Sequence, residues 1–148
     1  MRLQAWKSDA ARALFPAEIE IGNEPTGKPF VVGRADLPIS VAHKDDLAVA
    51  IVGEPGERVG IDVEKIAPRS DAFGAIAYTP DELEYARDDE ARTRLWAAKE
   101  AVGKALGTGI TDPKQLPVRA LPDGRLAIGP HVVDTRREGD YVIAWTRT

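Results

Sequence analysis

The sequence predicts an α+β domain in which a largely antiparallel sheet packs on one long helix. Three observations predict it: short β-type runs come first, helical sequence fills the middle, and β-type runs return at the end. Strands and helices grouped in this way, rather than strictly alternating, characterise α+β architecture. A length of 148 residues suits one domain with a single core. No internal repeat and no low-complexity segment is legible along the chain.

Residues 2–15 have helical composition and stop before Pro16. Residues 17–21 alternate like a short strand, and NEPTGKP at 23–29 is a turn-rich loop. Residues 37–43 and 47–53 form two β-type runs around His43, Lys44, Asp45 and Asp46, which predicts a hairpin. The second run contains LAVAIV, apolar on both faces, and is expected to be buried. A Gly/Pro turn then leads into the strand RVGIDVEKI. Residues 71–78 read as a short helix. Thr79, Pro80 and Glu82 supply an N-cap, a first helical residue and the third-position carboxylate of a capping box. The long helix runs over 89–106 and ends at Gly107 and Gly109. Two strands around the Asp123–Gly124 turn and a last strand over 140–147 complete the chain.

Composition narrows the classes of function. Hydrophobic residues make up 43% and charged residues 30%, an ordinary balance for a soluble globular protein. No apolar run is long enough to cross a bilayer, and the N-terminus lacks the apolar core of an export signal. Without cysteine there is neither a disulfide framework nor a thiolate metal site. The expected compartment is the cytoplasm, with no membrane partner. A net charge of −4 argues against a nucleic-acid binder. It leaves room for an anionic small ligand held by a local group of Lys and Arg.

Four stretches carry candidate chemistry. In Gly60-Ile61-Asp62-Val63-Glu64, strand alternation puts Asp62 and Glu64 on one face. Two such carboxylates repel unless water or a cation screens them, and hard divalent cations take oxygen ligands of this kind, often with substrate phosphates. The alternative is a solvated strand face balanced by Lys65 or Arg58.

In WAAKEAVGKALG, helical periodicity aligns Leu95, Ala98, Val102, Ala105 and Leu106 as an apolar stripe. Trp96, Glu100, Gly103 and Lys104 fall on another face, with Lys99 at the edge. A plain amphipathic helix explains Glu100 and Lys104 as an i,i+4 pair contributing ~0.3–0.5 kcal/mol. It does not explain Gly103, which costs roughly 1 kcal/mol against alanine and implies close packing on that face. His43 in PISVAHKDD has no HxxxH or cysteine partner, so it reads as a structural or phosphate-contacting residue rather than a metal ligand. Gly27-Lys28-Pro29 is a turn with a lysine that can bind phosphate as a point charge, but it is not a P-loop.

Taken in order, GKP, xSxxHxxD, GIDVE and WAAKEAxxKALG resemble the 4'-phosphopantetheinyl transferase superfamily. YTPDELEYA and WAAKEAVGKALGTGI look like the small holo-acyl-carrier-protein synthase type, whereas the motif order is similar to the larger Sfp type. The resemblance implies transfer of the 4'-phosphopantetheine arm of coenzyme A to a serine of an apo acyl- or peptidyl-carrier protein, with Mg²⁺ as cofactor and 3',5'-ADP as leaving group. It places the metal ligands on Asp62, Glu64 and Glu100, and coenzyme A contacts on Lys28, His43, Lys99 and Lys104. Glu100 and Lys104 are the implied catalytic pair. Two departures stand out: Ala42 precedes His43 where the family commonly has serine, and the first half (residues 1–58) is short beside the second (59–148). Lys7, Arg12, Arg34 and Lys44 compensate for the missing basic residues, or self-association does. A homo-oligomer, including the trimer of the small type, or a place within a larger synthase is therefore expected. The rival expectations are a coenzyme A- or carrier-binding module without efficient transfer, and an unrelated Mg²⁺-dependent phosphoesterase.

Overall fold

A computed structural model describes residues 10–14 and 19–148 of the chain. Residues 10–12 are helical; the rest of the helix expected over 2–15, and Ala17 and Glu18 of the strand expected over 17–21, lie outside the described residues apart from the turn at 13–14. Strand β1 runs Ile21–Asn23 and pairs antiparallel with β2, Pro29–Val31. The expected hairpin is present as β3, Ile39–Lys44, and β4, Leu47–Val52, in antiparallel register with Lys44 opposite Leu47. Asp45 turns the chain at φ 49°, a left-handed conformation that Asp tolerates better than most residues.

β5, Val59–Lys65, opens the larger unit. It is followed by α1, Asp71–Ala77, α2, Pro80–Tyr85, and α3, Asp89–Leu106. The Thr79 capping box forms as the sequence requires, with Glu82 N–H bonded to Thr79 Oγ1 and Thr79 N–H to Glu82 Oε2. A short 3₁₀ turn, Pro113–Gln115, leads to β6, Arg119–Ala120, β7, Leu126–Ile128, β8, His131–Glu138, and β9, Tyr141–Arg147. Where two strands were expected around Asp123–Gly124, there are three, because Gly129 and Pro130 turn the chain again between β7 and β8. The sheet order is β5-β9-β8-β7-β6, antiparallel at every pairing.

Alternation along β9 sorts its side chains between two cores. Val142 and Ala144 meet Leu95, Ala98, Ala101 and Val102 of α3 on one face. Ile143, with Tyr141 and Trp145, joins Ile61 and Val63 on the other, beneath Ala42, Val49 and Ile51 of the hairpin. The second face of the hairpin packs Ile39, Val41, Ala50 and Val52 with Ala11, Ile21 and Val31. β4 is thus apolar on both faces as expected, yet each of its residues keeps partial exposure. The reason is that β3 is its sole strand neighbour among the described residues.

The α3–β5 contact brings the site residues together, and Gly60 makes it close. A Cβ at Gly60 would overlap the carbonyl oxygen of Ala101 and stand 2.8 Å from Ala105 N. Backbone on the helix side cannot move aside as a flexible side chain could. Gly60→Ala is expected to destabilise the fold by about 3 kcal/mol, the upper end of overpacking penalties. Denaturant unfolding checks this, and a change of only a few tenths would contradict the tight α3–β5 contact.

The architecture repeats where the sequence does not. α3 is followed by four antiparallel strands, β6 to β9, and the helical residues 10–12 are followed by β1 to β4. β6 to β9 form one continuous antiparallel set, whereas β1–β2 and β3–β4 are two separate hairpins, with β2 lying near β3. The second unit also has β5, paired with its last strand; among the described residues the first has no such strand.

Candidate active site

Strand β5 and helix α3 build the site between them. Gly60, Asp62 and Glu64 face the helix, because the two-residue period sends Ile61 and Val63 to the opposite core. Ile61 has both backbone polar groups engaged outside the β5–β9 ladder. Its N–H donates to Ser40 Oγ at 3.1 Å, and its carbonyl accepts from Lys104 Nζ at 3.0 Å. Ser40 of the hairpin motif is thereby tied to the strand that carries the carboxylates.

Lys104, in the last turn of α3, also donates to Asp62 Oδ1 at 2.9 Å. Asp62 is buried. Burial pushes its carboxyl up to about 6, against the pull of Lys104 and with a further push from Glu64 and Glu100. Its second oxygen, Oδ2, is buried without a hydrogen-bond partner. Glu100 lies one turn before Lys104; its carboxyl is raised by burial, held back by Lys104 and raised again by Glu64. Glu64 Oε2 is flanked by Arg69 at 3.3 Å and Lys44 at 3.4 Å. Neither Lys65 nor Arg58 takes that role; Lys65 instead reaches Asp45 at 3.8 Å. Lys44 and Arg69 were not singled out as partners of Glu64 by the sequence, because a cation brought by a separate loop or hairpin leaves no spacing signal.

Asp62, Glu64 and Glu100 thus share one electrostatic neighbourhood. Three carboxylates, one with an orphaned buried oxygen, are the donor chemistry of a hard divalent cation that completes its shell with water and phosphate oxygens. Among the described residues, no group of three His, Cys, Asp or Glu side chains could by itself hold a metal ion. Lys104 occupies one side of Asp62, and Arg69 and Lys44 take up Glu64.

Beside this cluster lies a groove of about 630 Å³. The loop carrying Glu24 and Lys28 forms one wall, β3 at Ser40 and Val41 the floor, and Lys104, Thr108 and Gly109 the other wall. Lys28 and Lys104 therefore face the same cavity from the two units of the fold. His43 sits on β3 opposite Ala48, two residues beyond the groove-lining Val41. Ala42 is buried against Ile61 and Val63, so its methyl group contributes to the core between hairpin and sheet.

One expectation about α3 is corrected, and the close packing expected at Gly103 is found. Lys99 is not an open ligand for coenzyme A: it has 0% exposure, and its ammonium donates to Ala77 O at 2.8 Å, Glu82 Oε2 at 2.8 Å and Pro113 O at 2.9 Å. Gly103 makes room for the chain's own backbone, since a Cβ there would lie 2.9 Å from Gly109 C and 3.2 Å from the Ile110 side chain. Gly107, at φ 75°, caps the helix, and Gly109 N–H returns to Gly103 O at 3.1 Å.

Fold and site together define a protein that sets a carboxylate cluster and two lysines around a groove suited to a phosphorylated ligand. The chain belongs to the 4'-phosphopantetheinyl transferase superfamily, whose family model matches residues 58–146. It is 29% identical over 131 residues to a 4'-phosphopantetheinyl transferase of Bacillus subtilis, covering 82% of this chain and 58% of that protein. A holo-[acyl-carrier-protein] synthase of Aliarcobacter butzleri is 41% identical over 59 residues, 35% of this chain and 50% of that one. Among solved structures, the Bacillus anthracis holo-(acyl-carrier-protein) synthase in complex with CoA (3',5'-ADP) superposes with a TM-score of 0.52 at 26% identity. That match covers 61% of this chain and 93% of the other. The chain spans about half the length of the curated relatives it matches. No helix among the described residues is long and apolar enough to cross a membrane.

Proposed function

We propose that the protein transfers the 4'-phosphopantetheine arm of coenzyme A to a serine of an apo acyl- or peptidyl-carrier protein, releasing 3',5'-ADP. The observation that carries this reading is Lys104, which touches the carboxylate cluster through Asp62 and lines the groove at the same time. Family membership and the relatives named above support it.

Lys28 and Lys104 hold the phosphates of coenzyme A from opposite walls of the groove, as point charges. Asp62, Glu64 and Glu100 would hold Mg²⁺ together with phosphate oxygens of coenzyme A and water, not by themselves. When bound, Mg²⁺ neutralises the pyrophosphate and polarises the phosphorus under attack. Glu100, whose carboxyl is raised by burial, accepts the proton of the carrier serine as its oxygen bonds to that phosphorus. The bond from phosphorus to the 3',5'-ADP oxygen breaks, and Lys104 stabilises the charge that develops there. His43, two residues along β3 from the groove-lining Val41, contributes a further phosphate contact. Lys99 acts on the site only through the placement of α3.

Lys104→Met tests the role of the ammonium. It is expected to slow transfer by about 10²–10³-fold, the loss found when one donor to a developing anion is removed. The readout is release of 3',5'-ADP with saturating coenzyme A, Mg²⁺ and apo carrier. Near-normal turnover in this variant would exclude Lys104 as the leaving-group donor.

A further inference from the structure

Glu64 is held by two cations that come from different parts of the fold. Arg69, in the loop between β5 and α1, donates from Nη2 to Glu64 Oε2 at 3.3 Å. Lys44, at the end of β3, stands 3.4 Å from the same oxygen. Neither contact is short. The side-on fork that makes Arg–carboxylate pairs strong is not formed, because Arg69 Nε is buried without a hydrogen-bond partner. What fixes Arg69 is an aromatic seat. Its guanidinium lies over the Phe73 ring, 4.9 Å from the centroid. Phe73 is itself braced edge-on by Tyr78 and Trp96. The seat keeps a positive charge beside Glu64 even though the carboxylate bonds it weakly.

The same carboxylate is needed by the metal. Asp62 Oδ2 is buried without a partner, and Glu64 raises the carboxyls of both Asp62 and Glu100. A divalent cation that joins these three groups has to take Glu64 from Arg69 and Lys44 and then settle close to both. Like charges crowded into a partly buried site repel strongly enough to change affinity about tenfold. Phosphate oxygens lift this obstacle. They supply ligands to the metal and negative charge to the guanidinium and ammonium at the same time.

We propose that Arg69, seconded by Lys44, is a positioning residue that holds Glu64 against the metal. It lowers the affinity of the carboxylate cluster for a bare divalent cation, and so reserves the site for a cation that arrives with phosphate. The inference rests on the assignment of Asp62, Glu64 and Glu100 as metal ligands in the proposed transferase.

The test titrates Mn²⁺ alone into the full chain, without coenzyme A or carrier, and counts the free ion by its electron paramagnetic resonance signal. Arg69→Met is expected to bind Mn²⁺ about tenfold more tightly than the wild type. A merely structural role for Arg69 would leave affinity unchanged or weaken it. Adding Glu64→Gln to Arg69→Met is expected to abolish the gain. Lys44→Met, on an exposed side chain, is expected to tighten binding in the same direction, and it carries the test if thermal unfolding shows Arg69→Met to be misfolded. Three results would overturn the inference: affinity that is unchanged or lower in the folded variants, a gain that survives Glu64→Gln, or no Mn²⁺ bound by the wild type or any variant. None of them bears on transfer itself. A chain that fails here yet converts an apo carrier with coenzyme A and Mg²⁺ loses this device alone, whereas one that shows the gain but converts no carrier loses the transferase reading alone.

Discussion

Lys99→Met is expected to lower the stability of the fold by about 3–5 kcal/mol, the cost of removing one member of a buried ion pair. For a domain of this size that is a fall of roughly 10–15 °C in Tm. The effect is large because Glu82 is as buried as its partner and serves several elements. Its Oε2 accepts from Lys99 Nζ and from Thr79 N–H, and its Oε1 from Val118 N–H at 2.6 Å. Lys99 adds the carbonyls of Ala77 and Pro113. One ion pair thus fastens the end of α1, the start of α2, the middle of α3 and the turn before β6. Burial pulls the Lys99 ammonium down from its usual range, and Glu82 holds it up against that pull. With methionine at 99, the Glu82 carboxylate is left buried without its cation. The double variant Lys99→Met with Glu82→Gln is expected to recover part of the loss. Thermal unfolding decides the matter: a Lys99→Met variant that melts with the wild type would show that the pair does not hold these elements together.

Asp62→Ala is expected to abolish transfer without unfolding the protein. The carboxylate is proposed as a metal ligand, and it positions Lys104 at 2.9 Å; both are lost together. Stability behaves differently, and the sign follows from the raised carboxyl. Asp62 moves from 3.8 to about 6 on folding. Between those values the folded state binds more protons than the unfolded one, so the contribution is present below about pH 4 and is lost as pH rises through about 6. At ~1.36 kcal/mol per pH unit, the swing is about 3 kcal/mol. The Asp62→Ala variant lacks this decline. Its Lys104 is one-third exposed and keeps the Ile61 carbonyl, so at neutral pH the variant is expected to be at least as stable as the wild type. Paired unfolding curves from pH 4 to 7 check the stability half. Normal turnover in Asp62→Ala would refute its assignment to the site.

Much of this was legible in the residues. The capping box at Thr79, the bounds of α3 and the hairpin around Asp45 follow from local rules of capping, period and turn chemistry, and each stands where those rules put it. The shared face of Asp62 and Glu64 follows from strand alternation alone. Long-range contacts were less legible. A helical wheel puts Lys99 at the edge of the apolar stripe, but not that Ala77, Glu82 and Pro113 converge to surround its ammonium. Gly103 announces close packing without saying what packs. LAVAIV announces burial on both faces, and only the topology shows that, among the described residues, β3 is its one strand neighbour. The repeat of four strands was invisible for a similar reason: it lies in the order of elements, with no recurring motif to mark it.

The central claim is that the groove and carboxylate cluster carry out phosphopantetheine transfer. Its most direct test is the mass of an apo carrier protein after incubation with the wild-type chain, coenzyme A and Mg²⁺. The account predicts that the carrier gains one phosphopantetheine on serine, with one 3',5'-ADP released for each carrier converted. Coenzyme A binding with no mass gain on any acyl- or peptidyl-carrier protein would contradict it and identify a binding module instead.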